Sequence, residues 1–246
     1  MNIIVVKDYK ELSERACSII ENQIEMRAAS VLGLATGSTP LGTYQELIQG
    51  YEEGRTDYSR VSTFNLDEYI GLSPDHPQSY RYFMNQKLFS HINISDENTY
   101  IPDGKAEDLQ KECIRYERLV EEIGPPDLQL LGIGENGHIG FNEPGTSFES
   151  ETHIVQLTDS TREANARFFS SMEDVPTQAV TMGIRSILKS RRILLLASGE
   201  RKATAIKQFI ESERTEQFPA SSLKDHQDMT LIVDQAAYQK AIEKET

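Results

Sequence analysis

The chain has 246 residues and carries 39 acidic against 25 basic side chains, a formal net charge of −14. This charge repels polyanions, and no Lys/Arg-rich run offsets it, so nucleic acid and anionic membrane surfaces are excluded as partners. The sequence shows neither a secretory leader pattern nor an apolar run of the ~18 residues that span a membrane. We therefore expect a cytoplasmic protein that folds as one domain over residues 1–246.

Short apolar runs alternate with longer amphipathic segments along the chain. The apolar runs predict buried strands at 3–6, 31–35, 61–66, 128–133, 193–197 and 230–233. Asp8 and Glu11 predict a capping box for a first helix that ends near Met26. Further helices are predicted at 41–53, 78–90, 106–123, 160–170 and 200–211. The alternation favours βα units, so the sequence predicts an α/β three-layer sandwich with a mainly parallel sheet.

A polar loop, Thr36-Gly37-Ser38-Thr39, follows the strand predicted at 31–35 and precedes a helix. Main-chain N–H groups and hydroxyls in such a loop can converge on a phosphate. Neither the P-loop pattern nor the dinucleotide GxGxxG pattern is present. From these residues alone the loop is a candidate anion site, and an ordinary strand-to-helix turn is the alternative.

Two adjacent acids, Asp67 and Glu68, end the strand predicted at 61–66. A carboxylate aimed into a cleft can act as a general base, because burial raises its pKa toward the working pH. A solvated turn or a helix cap would explain the same pair, so the residues alone leave both interpretations open.

A Gly-rich loop follows the strand predicted at 128–133 and reads GIGENGHIGFNEP. Its glycines allow close approach of the backbone to a ligand, and His138 can exchange protons near neutral pH. Asn136 and Glu143 lie close in sequence and could orient the imidazole. This pattern indicates a catalytic histidine rather than a packed one.

Several segments together resemble the glucosamine-6-phosphate deaminases, which share a modified Rossmann-type fold with 6-phosphogluconolactonases. The matching segments read LATGSTPLGTY, FNLDEY, HPQSYRYFMN, GIGENGHIGFNEPGTSF, TREANARFF, TMGI and SGERKA. The resemblance spans nearly the whole chain. It implies an enzyme of amino sugar metabolism that converts glucosamine 6-phosphate and water into fructose 6-phosphate and ammonia, formally a hydrolase.

The resemblance also implies roles for individual residues. Asp67 is expected to move a proton between C2 and C1 of the opened sugar, and His138 to open the ring. Asn136 and Glu143 are expected to support His138. Some family members have Asp at position 136, so Asn136 predicts a less polarised partner for His138 and a different pH profile.

The sugar phosphate is expected to bind to residues from four of the matching segments. They are Gly37, Ser38, Thr39, Thr146, Arg167 and Lys202. Arg and Lys supply the charge-assisted donors that a phosphate dianion requires in a protein of negative net charge.

The implied reaction needs no redox cofactor, and no second His or Cys stands at a metal-ligand spacing from His138, so we expect neither cofactor nor metal. The expected partner is a small sugar phosphate, bound by a monomer, with a homo-oligomer as the alternative. Two other functions stay open. One is a lactonase acting on 6-phosphogluconolactone, which would activate water, and the other is a non-catalytic sugar-phosphate-sensing domain.

Overall fold

The computed structural model describes residues 1–166, 169 and 171–242. Its strands, in chain order, are β1 (Asn2–Val6), β2 (Val31–Leu34), β3 (Ser62–Asn65), β4 (Asp67–Tyr69), β5 (Thr99–Tyr100), β6 (Leu128–Gly132), β7 (His153–Gln156), β8 (Gln178–Thr181), β9 (Ile193–Ala197) and β10 (Met229–Asp234). The central sheet has seven strands in the order β1-β10-β9-β6-β2-β3-β5. Every neighbouring pair in it is parallel.

Helices cover both faces of this sheet. They are α1 (Tyr9–Met26), α2 (Leu41–Glu52), α3 (Tyr80–Lys87), α4 (Leu109–Ile123), α5 (Asp159–Ala166), α6 (Ile184–Leu188), α7 (Ala203–Glu211) and α8 (Gln235–Ile242). Leu12 of α1 and Met84 of α3 belong to the core on one face, and Tyr116 of α4 and Phe209 of α7 belong to the core on the other. The predicted three-layer, Rossmann-like α/β fold is therefore confirmed. No helix in the described residues is long and apolar enough to cross a membrane.

Burial on both faces explains the unbroken apolar sequence of β9. Leu194 and Leu196 join the core beneath α1, α2 and α3, whereas Ile193, Leu195 and Ala197 join the opposite core. Successive side chains of a strand point to opposite faces, so a central parallel strand needs an apolar residue at each position.

A second, smaller sheet lies beyond the end of β3. Its strands β4, β8 and β7 are antiparallel, and Asp67, the first residue of β4, pairs with Thr181 of β8. The sequence analysis missed β4, β7 and β8 because each has at most four residues and carries polar side chains among the apolar ones. It also missed the two-residue strand β5 and the short helices α6 and α8.

All six predicted strands are confirmed, and the predicted helices are present with shifted ends. The segment predicted as a helix at 106–123 becomes helical only at Leu109, because the Asp108 carboxylate accepts the main-chain N–H of Lys111 and caps α4 there. The segment predicted at 200–211 begins with a 3-10 turn, Glu200–Lys202, before α7. Of the segment predicted at 160–170, positions 167, 168 and 170 lie outside the described residues.

The capping box at the first helix is only half formed. The Asp8 carboxylate accepts the N–H of Glu11 at 3.0 Å, as predicted. The Glu11 carboxylate, however, accepts the N–H of Lys7 at 2.7 Å instead of the N–H of Asp8. The N–H groups of Glu11 and Lys7 are thus satisfied, and the Asp8 cap fixes the start of α1 where the sequence placed it.

The strand order reverses between β2 and β6. Along the chain, β2 is followed by β3 on one side of this point, and β6 is followed by β9 on the other. In open α/β sheets, ligands bind in the crevice outside the carboxyl ends of the strands at such a reversal. The fold therefore directs the search for a site to the loops after β2 and β6.

Candidate active site

Among the described residues, the predicted site residues follow four strands that are neighbours in the sheet, in the order β9, β6, β2 and β3. The anion loop follows β2, Asp67 follows β3, the His138 loop follows β6, and Lys202 follows β9. Because the strands are parallel, all four carboxyl ends lie at one edge of the sheet. The fold thus gathers segments that are far apart in the sequence.

Asp67 is a buried carboxylate that accepts no hydrogen bond from the described residues. The residue is only 6% exposed to solvent. Burial, and secondarily the negative charge of Glu68, raise the pKa of Asp67 to about 8. A carboxylate with this pKa is a stronger base than an exposed one, and it is still partly ionised near neutral pH.

Gly140 brings the His138 loop up against this carboxylate. A methyl group at Gly140 would lie 3.4 Å from Oδ2 of Asp67 and 3.1 Å from Oγ1 of Thr181, and the residue has φ of +57°. Glycine therefore serves twice here, since it adopts the left-handed backbone and leaves the approach to Asp67 open.

Glu68 has a different task from its neighbour. Its carboxylate accepts the N–H groups of Tyr69 at 2.8 Å, Tyr80 at 2.9 Å and Arg81 at 2.9 Å. Two of these donors belong to the first turn of α3, whose free N–H groups need acceptors. The helix-cap interpretation of the acid pair thus describes Glu68, and Asp67 is left free for chemistry.

His138 is the first member of a hydrogen-bonded relay. Its Nδ1 lies 2.8 Å from Oδ1 of Asn136, and Nδ2 of Asn136 donates to Oε2 of Glu143 at 2.7 Å. Nδ1 of His138 and Oε2 of Glu143 are 3.7 Å apart, so the amide stands between the imidazole and the carboxylate. The loop brings together the three residues that the sequence analysis grouped.

The relay fixes the tautomer of His138. The Glu143 carboxylate only accepts, so the NH₂ of Asn136 must face it and the amide oxygen must face the imidazole. Nδ1 of His138 then carries the proton, and Nε2 is free to accept one. Burial lowers the pKa of His138, the charge of Lys202 lowers it further, and Glu143 opposes both, which favours a neutral imidazole that can act as a base.

Thr161 of α5 extends this relay beyond the residues that the sequence analysis assigned. Its hydroxyl donates to Oε1 of Glu143 at 2.5 Å, so both carboxylate oxygens of Glu143 are occupied. Thr161 lies in the TREANARFF segment, which was matched without a role for this residue. Nothing in the local sequence pattern predicts this contact, because Thr161 and Glu143 are far apart in sequence and meet only in the folded chain.

The loop after β2 presents unused main-chain donors. The N–H groups of Gly37, Ser38 and Thr39 donate no hydrogen bond to any described residue. Gly37 and Ser38 are exposed. Consecutive free N–H groups just before a helix form a site for an anion. At the inner end of the loop, the hydroxyl of buried Tyr44 donates to the carbonyl of Ala35 at 2.5 Å and anchors it.

Lys202 lies in the 3-10 turn after β9, close enough to the His138 loop that its charge lowers the pKa of His138. Burial lowers the pKa of Lys202 itself, and the charge of Glu135 opposes this. The turn is fixed by the buried Asp234 carboxylate, which accepts from the Ser198 hydroxyl at 2.5 Å and the Gly199 N–H at 3.0 Å.

The other two predicted phosphate ligands, Thr146 and Arg167, stay predictions. The hydroxyl of Thr146 donates to the carbonyl of Glu143 at 2.7 Å, so its proton is used within its own loop. Arg167 lies outside the described residues. In the part of the chain that is described, no group of three His, Cys, Asp or Glu side chains is placed to hold a metal ion.

An aromatic cluster that the sequence analysis did not identify borders Asp67. Tyr69 and Tyr80 have ring centroids 4.7 Å apart, and Phe141 stacks on Tyr80 at 6.0 Å. The hydroxyl of Tyr80 also lies near the side chain of Thr36 in the anion loop. The cluster therefore connects the anion loop with the Gly-rich loop, which contains Phe141.

Comparison with known proteins decides the family. A family model described as glucosamine-6-phosphate isomerases/6-phosphogluconolactonase matches residues 7–232. The chain belongs to this family. Among curated members of the family, a glucosamine-6-phosphate deaminase from Geobacillus sp. (strain WCH70) is 58% identical over 237 residues, which cover 96% of this chain and 94% of that protein. A protein of the same description from Clostridioides difficile (strain 630) is 52% identical over 240 residues, or 98% and 96% of the two chains.

Solved structures of the family agree with the fold. A monomeric glucosamine-6-phosphate deaminase superposes with a TM-score of 0.96 at 50% identity, covering 98% of this chain and 100% of that one. A 6-phosphogluconolactonase from Trypanosoma cruzi superposes with a TM-score of 0.80 at 22% identity, covering 98% and 97%. The second similarity is one of fold alone.

Proposed function

We propose that this protein is a glucosamine-6-phosphate deaminase, which converts glucosamine 6-phosphate and water into fructose 6-phosphate and ammonia. The relatives of this description share more than half of their residues with this chain over nearly its full length. The observation that carries the proposal within the site is the buried Asp67 carboxylate, with its pKa raised to about 8, lying against the His138 loop. Removal of a proton from carbon requires such a base.

In the first step, the phosphate binds to the free N–H groups of the loop at 37–39 and to the Lys202 ammonium. This contact fixes the sugar with its ring over the carboxyl ends of β3 and β6. Nε2 of His138 then takes the proton of the C1 hydroxyl and returns one to the ring oxygen, so the C1–O5 bond breaks and the open aldehyde forms. Asn136 and Glu143 hold the imidazole and stabilise its protonated form.

In the second step, Asp67 removes the proton on C2. The electron pair of that C–H bond forms a C1–C2 double bond, and the aldehyde oxygen takes up a proton. Return of the proton from Asp67 to C1 leaves an imine at C2. Water adds to this carbon and ammonia leaves, which gives the ketone of fructose 6-phosphate. Water is consumed in this last exchange, and the proton transfers before it are an isomerisation.

The proposal is tested by incubating the purified protein with glucosamine 6-phosphate and measuring ammonia and fructose 6-phosphate separately. We expect equal amounts of the two products. A parallel reaction with 6-phosphogluconolactone tests the lactonase alternative. The 6-phosphogluconolactonase from Trypanosoma cruzi resembles this chain only in fold. Lactone hydrolysis without ammonia release would overturn the proposal, and binding of glucosamine 6-phosphate without turnover would indicate the sensing domain.

The molecular organisation is proposed along with the function. We propose that residues 1–246 form one cooperative domain and act as a monomer in the cytoplasm. Continuity of the seven-stranded sheet, which joins β1 to β10, supports the single domain. The monomeric state of a deaminase with a TM-score of 0.96 to this chain supports the second point. A single unfolding transition and a sedimentation mass near 27.8 kDa are the expected results.

A further inference from the structure

We infer that Tyr9, at the start of α1, is a positioning residue for phosphate binding, because it holds the carbonyl groups of the anion loop away from the ligand. The inference rests on the proposed function and assigns a role to a residue that lies outside the segments quoted for the family resemblance. Tyr9 is 37% exposed, so it contributes little to the core.

The Tyr9 hydroxyl makes three contacts with the loop and the helix that follows it. It lies 3.0 Å from the carbonyl oxygen of Ser38 and 3.1 Å from that of Thr39, and it accepts the N–H of Gly42 at 2.8 Å. One hydroxyl thus serves two acceptors and one donor, all of them main-chain groups. These contacts lie within five consecutive residues, which span the loop and the first turn of α2.

The peptide plane turns these contacts into an orientation of the loop. In a trans peptide the C=O and N–H bonds point in opposite directions. The carbonyl of Ser38 shares its peptide plane with the N–H of Thr39, so drawing this carbonyl toward Tyr9 directs the N–H to the other side. The carbonyl of Thr39 precedes Pro40, which has no N–H to offer, and this peptide can only repel an anion if its oxygen turns toward the site.

Gly42 allows the tyrosine to reach the loop. A methyl group at Gly42 would lie 3.1 Å from Cε1 of Tyr9 and would collide with Oγ of Ser13. Gly42 lies in the first turn of α2, and its lack of a side chain lets α1 and α2 approach closely. The Ser13 hydroxyl donates to the carbonyl of Tyr9 at 2.8 Å and holds the first turn of α1 in register with this contact.

The test is Tyr9→Phe, which removes the hydroxyl and keeps the ring. We expect the KM for glucosamine 6-phosphate and the inhibition constant of inorganic phosphate to rise together by about three- to tenfold, the range of one net hydrogen bond. The kcat should change by less than about twofold, because Tyr9 does not contact the reacting carbons. Tyr51→Phe is the matched control, since the Tyr51 hydroxyl on α2 makes no hydrogen bond to a described residue.

Other outcomes would overturn the inference. A lower melting temperature for Tyr9→Phe with unchanged KM and unchanged phosphate inhibition would show a purely structural tyrosine. A fall in kcat alone would place Tyr9 in the chemistry instead. Calorimetric titration with inorganic phosphate needs no turnover, so it tests the role of Tyr9 even if the wild-type protein releases no ammonia. Absence of ammonia release by the wild-type protein would contradict the proposed function. The phosphate titration would still decide the inference about Tyr9.

Discussion

Asp67 and Glu68 are neighbours in sequence, yet their carboxylates lie in opposite electrostatic environments. Glu68 accepts three main-chain N–H groups, whereas Asp67 accepts none from the described residues. The two side chains leave β4 on opposite faces, as successive residues of a strand must. Burial raises the pKa of Glu68 and the three N–H groups oppose that rise, while the charge of Glu68 helps to keep a proton on Asp67.

Replacing Asp67 by Asn should abolish ammonia release while preserving binding. The amide cannot take the C2 proton, and loss of a general base typically costs about 10²–10⁴-fold in rate. The inhibition constant of inorganic phosphate should stay within about twofold of the wild-type value, because the anion loop and Lys202 are unchanged. Steady-state kinetics and phosphate inhibition of the variant measure both quantities, and turnover at the wild-type rate would remove Asp67 from the mechanism.

The same variant should be more stable than the wild type at alkaline pH. The folded pKa of Asp67, about 8, lies above the value of about 4 for an unfolded Asp, so the folded chain binds more protons between these limits. The contribution of Asp67 to the free energy of unfolding of the wild type is fully present below pH ~4 and is lost as the pH rises through ~8. We expect the melting-temperature advantage of Asp67→Asn to grow across that window. Asp75→Asn, at an exposed position, is the control and should show no such trend.

Glu68→Gln should weaken the fold and also alter the pH dependence of the rate. The amide NH₂ would face one of the N–H donors that now meet Oε1 and Oε2, at a cost of about 1–3 kcal/mol in the free energy of unfolding. Loss of the Glu68 charge should lower the pKa of Asp67, since that charge raises it. The acid limb of the kcat/KM profile should move to lower pH. If the stability falls as expected but the acid limb does not move, the ionisation of Asp67 does not determine that limb.

Asn136→Asp tests the relay. A carboxylate beside Nδ1 of His138 favours the protonated imidazole, so the pKa of His138 should rise. Ring opening by the neutral imidazole would then require a higher pH. We expect the His138 resonance in an NMR titration and the corresponding kinetic pKa to shift upward together. Asn22→Asp adds the same charge on an exposed turn of α1 and should shift neither; a downward shift for Asn136→Asp would contradict the relay.

The central sheet and the positions of the main site segments were predictable, because each depends on local patterns. Apolar runs such as that of β9 and the glycines around His138 are visible in a short window of sequence. The choice between Asp67 and Glu68 was not settled by the residues themselves, because it depends on α3, whose first turn reaches Glu68 from a dozen positions away. Only the family resemblance favoured Asp67.

Contacts between distant segments were beyond the sequence analysis. Thr161 of α5 meets Glu143, and Tyr9 of α1 meets the loop at 36–39, and each pair is far apart in sequence. Neither residue carries a motif, since a hydroxyl that donates one hydrogen bond has no characteristic neighbours in sequence. The small sheet of β4, β7 and β8 escaped for a similar reason, because its strands are too short to show a period.

The pairing of β1 with β10 has a consequence for synthesis on the ribosome. Strand β1 leaves the exit tunnel before the other nine described strands, but the strand that it pairs with, β10, is the last of them to be made. During that interval the apolar edge of β1 is available to other nascent chains and to chaperones. We expect the last step in forming the central sheet to be the insertion of β10 between β9 and β1, so translation delays shortly before β10 should favour aggregation more than delays before β2.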